Sequence, residues 1–223
     1  MMEALPVFIS VSFGLLAIVS VIWFYVATKS KTFLIVAMVW LLLQTVLATK
    51  GVYLNTQAMP PLLMLYGIFP ALVFVAMIFF TKSGKAFISN INLKALTAFH
   101  SIRLTVEIFL SVLYHYGVVS VYMTFEGTNF DILSGLTAPL VSWFAFRNTT
   151  INKKLLLGWN VICLLLLLNV VITAAFAIPS PIQKLAFEQP NIALLYFPFN
   201  LLPTIVVPMV FFAHLAAIRQ LIK

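Results

Sequence analysis

The sequence predicts an all-α membrane protein, a bundle of seven transmembrane helices with its N-terminus outside and its C-terminus in the cytoplasm. Three observations carry that expectation. First, 63% of the 223 residues are hydrophobic and only 8% charged, with a mean hydropathy of +1.13; soluble domains are nearer 45–50% apolar and about 25% charged. Second, seven apolar runs are long enough to be matched to a hydrocarbon core about 30 Å thick at about 1.5 Å per residue. Third, the basic residues fall between alternate runs.

The first run, 6–28, follows Glu3 with no Lys or Arg before it. A secretory signal starts basic, so this run is expected to stay as a helix. Lys29 and Lys31 separate it from the second, 32–53, which holds Gln44. The third, 60–81, opens on Pro60-Pro61 and stops before Lys82 and Lys85. The fourth, 94–117, starts at Lys94 and contains the stretch "FHSIRLTVEIFLSVLYHYG". The fifth, 130–147, is the shortest and ends at Arg147. The sixth, 154–177, follows Lys153-Lys154 and holds Asn169. The seventh, 190–218, contains Asn200 with Pro198, Pro203 and Pro208, and is followed by Arg219 and Lys223. Each proline removes a backbone donor and frees the carbonyl one turn earlier, so this helix is expected to be kinked.

With the N-terminus outside, the inner segments carry ten Lys or Arg and the outer loops only Lys50 and Lys184. Such a bias sets orientation in membrane proteins. Glu3, Glu126 and Glu188 all fall outside. No polar block is long enough for a soluble domain, so residues 1–223 read as one polytopic domain. The single cysteine, Cys163, excludes an internal disulfide and a cysteine-based metal cluster. The net charge of +8 is spread between apolar runs rather than gathered among aromatics, which argues against nucleic acid. The expected partner is the lipid bilayer.

The fourth run raises the functional question. On a helical wheel turning 100° per residue, His100, Arg103, Glu107, Ser111, Tyr114 and His115 occupy an arc of roughly 120°. Ile102, Val106, Phe109 and Leu113 lie opposite, as a stripe expected to face lipid. Ionisable side chains within spans are costly and turn to the bundle interior or a wet cavity. Arg103 and Glu107, four apart, are expected to pair on one face. Two leucines would serve the membrane equally well, since a buried ion pair contributes little net stability; the pair therefore points to function, against a role in fixing helix packing. Glu107 lies about 20 Å in from Lys94, and Gln44, Asn169 and Asn200 reach comparable depth. Together they outline a polar central cavity for a small polar solute or a proton, with a bundle tied by interhelical amide bonds as the alternative.

The loop "VYMTFEGTNFDILSGLTAP", Val121 to Pro139, joins the fourth and fifth runs. Asn129 or Asp131 is placed to cap the fifth helix, where free amides favour an oxygen acceptor, and for Asp131 the cap is the preferred of two readings, cap or mouth. With Glu126 and His115, Asp131 forms an expected outer mouth. A different class of function is an intramembrane metal- or haem-dependent enzyme. His100 and His214 both lie in the cytoplasmic third, about 9 Å and about 8 Å in, and can meet. A catalytic zinc takes three protein ligands, however, and no third is apparent at that depth, so no metal ligand, catalytic residue or cofactor is assigned. An accessory or scaffold subunit with no site of its own is the third class.

Two resemblances bear on these readings. "VSVIWFYVATKSKTFLIVAMVWLLLQTVLAT" from Val19 reads like "VSWFAFRNTTINKKLLLGWNVICLLLLLNVVITA" from Val141, and "PPLLMLYGIFPALVFVAMIFF" from Pro60 is echoed by "NIALLYFPFNLLPTIVVPMVFF" from Asn191. Helices 1–3 and 5–7 then form a parallel repeat with helix 4 as linker, although leucine-rich helices also resemble one another without common origin. The layout resembles the SWEET and PQ-loop transporters, without their helix-1 proline or their Pro-Gln pair. Arg103 and Glu107 with "MTFEGTNFDILSGLTAP", "LYFPFNLLP" and "HLAAIR" resemble bacterial seven-helix inner-membrane proteins described only as hypothetical. That resemblance implies a bacterial inner-membrane location and supplies no activity.

Overall fold

The computed structural model describes residues 2, 5–148 and 150–222; Glu3 and Lys223, with their expected places outside and inside, lie outside the described residues. These residues form helices and no strand. Helix α1 (Val7–Thr28) ends at Lys29, which takes the left-handed conformation (φ 54°) and returns its N–H to Tyr25 O. Ser30 then caps α2 (Lys31–Thr49) by accepting from Phe33 N at 3.2 Å. A turn of two residues thus reverses the chain. The third run enters as a π-helical turn, Met64–Ile68, and continues as α3 (Phe69–Phe80). Thr81 caps α4 (Lys82–Ser89) through Gly84 N, and the axis bends there by 86°. Asn92 caps α5 (Leu93–Phe99), which continues past His100 and Ser101 into α6 (Ile102–His115).

Helix α7 (Ile132–Phe146) is followed by α8 (Lys153–Ala177), capped by Asn152. The seventh run is helical only in its later part. Residues 190–201 contain a 3₁₀ turn, Ile192–Leu195, and the cis Phe197–Pro198 bond; a π turn, Leu202–Val206, then leads into α9 (Val207–Ile222). The expected helix from 190 is corrected accordingly. Five helical segments are long and apolar enough to cross a membrane: Val7–Thr28, Lys31–Thr49, Leu93–His115, Lys153–Ala177 and Leu202–Ile222. Met64–Phe80 with its bent extension makes a sixth if counted as one span, and Ile132–Phe146 is apolar but shorter.

Backbone and side-chain hydrogen bonds knit both ends of the bundle. At the lysine-rich end, Asn92 N donates to Ala27 O at 3.1 Å, Ser142 Oγ donates to Lys94 O at 3.3 Å, and Gln220 Nε2 donates to Ile91 O at 3.1 Å. At the other end, Gln189 Nε2 donates to Tyr114 O and Val119 O at 2.9 and 2.6 Å, and Asn191 Oδ1 accepts from Ser120 N at 2.9 Å. Phe13, Phe24, Phe99, Phe199 and Phe212 fill the centre. Large apolar side chains such as Leu15, Val39, Leu140 and Ile162 stay exposed on the outer helices, as expected where the surrounding medium is lipid.

The α5–α6 segment occupies the middle, packed against α1 on one side and α7 on the other. Its supposed lipid stripe is corrected: Ile102, Val106 and Leu113 are buried, and the outward face is carried by Thr105 and Ile108. The segment is covered on most of its circumference, so the face at Ile102, Val106 and Leu113 meets protein as its polar face does.

Candidate functional site

The polar stripe of α6 is answered by the chain that follows it. After α6 the backbone turns at Gly117 (φ 74°), which has no Cβ to resist the left-handed conformation. Residues 123–131 then run back beside the helix in the opposite direction. Stripe positions 103, 107, 111 and 115, one turn apart, meet loop positions 131, 129 and 126 in reverse order. His115 Nε2 lies 3.2 Å from Glu126 Oε1 and Ser111 Oγ donates to the same atom at 2.6 Å. Deeper, Asn129 Nδ2 donates to both oxygens of Glu107 at 2.9 and 2.8 Å. Deepest, Arg103 forms an ion pair with Asp131, its Nε donating to Oδ2 at 2.7 Å.

Three expectations change with this ladder. Arg103 pairs with Asp131 rather than with Glu107, because the returning loop brings a carboxylate to the guanidinium fork from a second element. Of the two expected caps, Asp131 holds the position before α7 but its side chain makes no cap bond, while Asn129 Oδ1 accepts the Asp131 amide at 2.9 Å. Asp131 is buried and belongs to no mouth, which is reduced to the exposed pair His115 and Glu126. Tyr114 is half-buried, with its ring 5.1 Å from that of His115. Helix α7 can approach closely because Gly135, one turn after Asp131, sits on the Leu104 backbone where a Cβ would collide.

Arg103 reaches further into the bundle. One terminal nitrogen faces His214 Nε2 at 2.8 Å and the other donates to Cys163 O at 3.2 Å. A guanidinium cannot accept, so His214 Nε2 is the acceptor and its proton sits on Nδ1, donated to Asn160 Oδ1 at 2.9 Å. Asn160 passes the chain on to Leu156 O at 2.8 Å. His100 and His214 do meet, as their depths require, but face to face, with ring centroids 3.9 Å apart and Trp159 at the edge of His100, 5.3 Å away. Both His214 nitrogens are committed to protein, and stacked rings do not aim their lone pairs at a common ion. Among the described residues no group of three His, Cys, Asp or Glu is placed to hold a metal.

Gln44 and Asn200 form a separate network rather than joining Glu107. Gln44 Nε2 donates to Tyr66 O at 3.0 Å, Gln44 Oε1 accepts from Tyr53 Oη at 2.5 Å, and Asn200 Nδ2 donates to Gln44 O at 3.1 Å. One turn earlier on α2, Trp40 Nε1 donates to Thr204 O at 3.0 Å. Tyr66 and Thr204 lie four residues before Pro70 and Pro208, so α2 captures the two carbonyls that those prolines release. The expected wet cavity is not needed to satisfy them. Asn169 is exposed and donates to Thr128 O at 3.2 Å. The inward amide of α8 is Asn160, which sequence reading passed over. The nine-residue spacing held the clue, since nine steps of 100° put the two amides on opposite faces.

One cavity adjoins the ladder. It has a volume of about 430 Å³ and lies between α3, α8 and the π turn before α9, with Arg103, Glu107 and Asp131 among its lining residues. Its other walls are almost wholly apolar, including Leu110, Leu167, Val171, Ala174, Leu195 and Val206. Phe69 and Leu72 of α3 and Leu168 of α8, all exposed, also line it. The loop residues Asn55, Thr56 and Ser180 line it as well. The polar cavity expected from the sequence is therefore an apolar one with a charged floor.

Neither a curated protein nor a solved structure matches the chain. Residues 59–222, more than half of the sequence and including every residue of the ladder and its floor, match one family. The chain belongs to that family, which is described as a domain of unknown function (DUF8737).

Proposed function

We propose that this protein is a seven-span membrane protein that binds a lipid-soluble small molecule, with an apolar body and one polar group, in the cavity between α3 and α8. The carrying observation is the union of an apolar space, walled in part by the exposed Phe69, Leu72 and Leu168, with a buried Arg103–Asp131–Glu107 floor. Pockets of about 300–1,000 Å³ with apolar walls and a few convergent polar groups are the usual form of ligand sites. Ionisable groups at such depth are retained where they serve binding or transfer. A small polar solute would leave the apolar walls unmatched, whereas a lipid-phase ligand matches them and can enter past the exposed Phe69, Leu72 and Leu168.

In this reading the lysine-rich end faces the cytoplasm, following the charge bias. The sequence resemblance supports a bacterial inner membrane. The placement of α5–α6 between α1 and α7 supports its role as linker between two parallel three-helix halves. The test is mass spectrometry of small molecules retained on the purified protein, beside Ala174→Phe. Ala174 is half-buried on the cavity wall, so the larger ring should fill space without disturbing the core. A stoichiometric apolar molecule lost in the variant is the expected result. Retention unchanged in a folded Ala174→Phe protein would overturn the proposal.

A further inference from the structure

The floor of the cavity is electrically and geometrically lopsided. Arg103 is neutralised by Asp131, and four of its five N–H groups are accounted for by Asp131, His214 and Cys163 O. Glu107 has no cation within ion-pair distance among the described residues. Among the described residues its side chain is hydrogen-bonded by the Asn129 amide alone, which has two hydrogens, and one of those goes to Met123 O at 2.8 Å. The two Glu107 oxygens therefore share the single remaining hydrogen, at 2.9 and 2.8 Å. An ionised carboxylate offers about four lone-pair positions, so most of its accepting capacity is unused. Yet the residue is 2% exposed and lines the cavity. Buried acceptors left unmade are costly, and more so when charged.

From this we infer that the polar group of the ligand is a hydrogen-bond donor without negative charge, a long-chain amine or alcohol, held by Glu107. The inference rests on the cavity reading above and names the chemistry that reading leaves open. With Asp131 and Glu107 against Arg103, the floor carries one uncompensated negative charge when both acids are ionised. An ammonium cancels it and a hydroxyl donates to it. A carboxylate or phosphate would bring a second negative charge into a water-poor space and supply no donor. Specificity of this kind comes as much from repelling the wrong head group as from holding the right one.

The test compares three photoactivatable alkyl-diazirine probes of equal chain length, bearing an amine, a hydroxyl or a carboxylate, on the full-length protein in nanodiscs. Labelled peptides are mapped by mass spectrometry. Amine and hydroxyl probes should label α3 and α8 cavity residues at least about tenfold more than the carboxylate probe, a ratio worth about 1.4 kcal/mol. Glu107→Gln should reduce the amine-to-carboxylate ratio to within about twofold, less than about 0.5 kcal/mol by the same conversion. Should that variant fail to fold, the three-probe ratio on the unaltered protein decides alone. Equal or stronger carboxylate labelling that Ala174→Phe removes would overturn the donor-head inference while leaving the cavity as a ligand site. Absence of cavity labelling by every probe would overturn both.

Discussion

Replacing Asp131 by Ala should be among the most damaging single changes in this protein, because of what it leaves behind. Arg103 is 3% exposed and directs two of its nitrogens at Asp131. Without that carboxylate the guanidinium keeps only His214 Nε2 and Cys163 O, both neutral. Breaking a buried pair from one side costs about 3–5 kcal/mol. Arg103→Leu should cost a similar amount by stranding Asp131. The double variant Arg103→Leu/Asp131→Leu removes both charges, and its principal debt is the lost donor to His214, about 1–3 kcal/mol. The two single effects together, about 6–10 kcal/mol, should therefore exceed the double by at least about 3 kcal/mol, the non-additivity of groups in direct contact. Equilibrium unfolding in mixed detergent micelles measures all three. If each single change costs under about 1 kcal/mol, or if the two simply add, the pair is not the buried, mutually dependent contact described here.

The close approach of α7 to α6 should depend on the lack of a side chain at Gly135, where a Cβ would strike the Leu104 backbone; Gly135→Ala should cost about 1–3 kcal/mol by overpacking, while Gly14→Ala, whose Cβ would sit 3.7 Å from Pro198, should be close to neutral. Equal effects at the two glycines in the same unfolding assay would count against the contact. Orientation is open to cysteine scanning on a Cys163→Ala background: a cysteine at Lys85 should resist a membrane-impermeant maleimide in intact cells and one at Lys184 should react. The reverse pattern would invert the topology.

Much of the fold was legible in the chain. Hydropathy outlined most of the helical segments, and the i, i+4 spacing of Arg103, Glu107, Ser111 and His115 exposed the polar stripe, whereas the caps at Ser30, Thr81, Asn92 and Asn152 came only with the structure. The prolines of the seventh run announced freed carbonyls, but not that Trp40 would take one, nor that Gln44 would take the carbonyl ahead of Pro70 in the third run. Helical periodicity also misled, because an apolar face opposite a polar one looks the same whether lipid or protein covers it. Hence Ile102, Val106 and Leu113 were assigned to lipid although they are core.

The sequence by itself determined that the chain suits a membrane, roughly where most of its helices lie, and that one of them carries charge toward a protected interior. Those features follow from composition and from a periodicity confined to one element. Tertiary structure alone decided that Arg103 takes Asp131 rather than its helical neighbour, that Glu107 is left with a single shared amide hydrogen, and that the space beside them is apolar. Partners drawn from a loop 22 to 28 residues away in the chain depend on how that loop folds back along the helix, and no local pattern encodes that path.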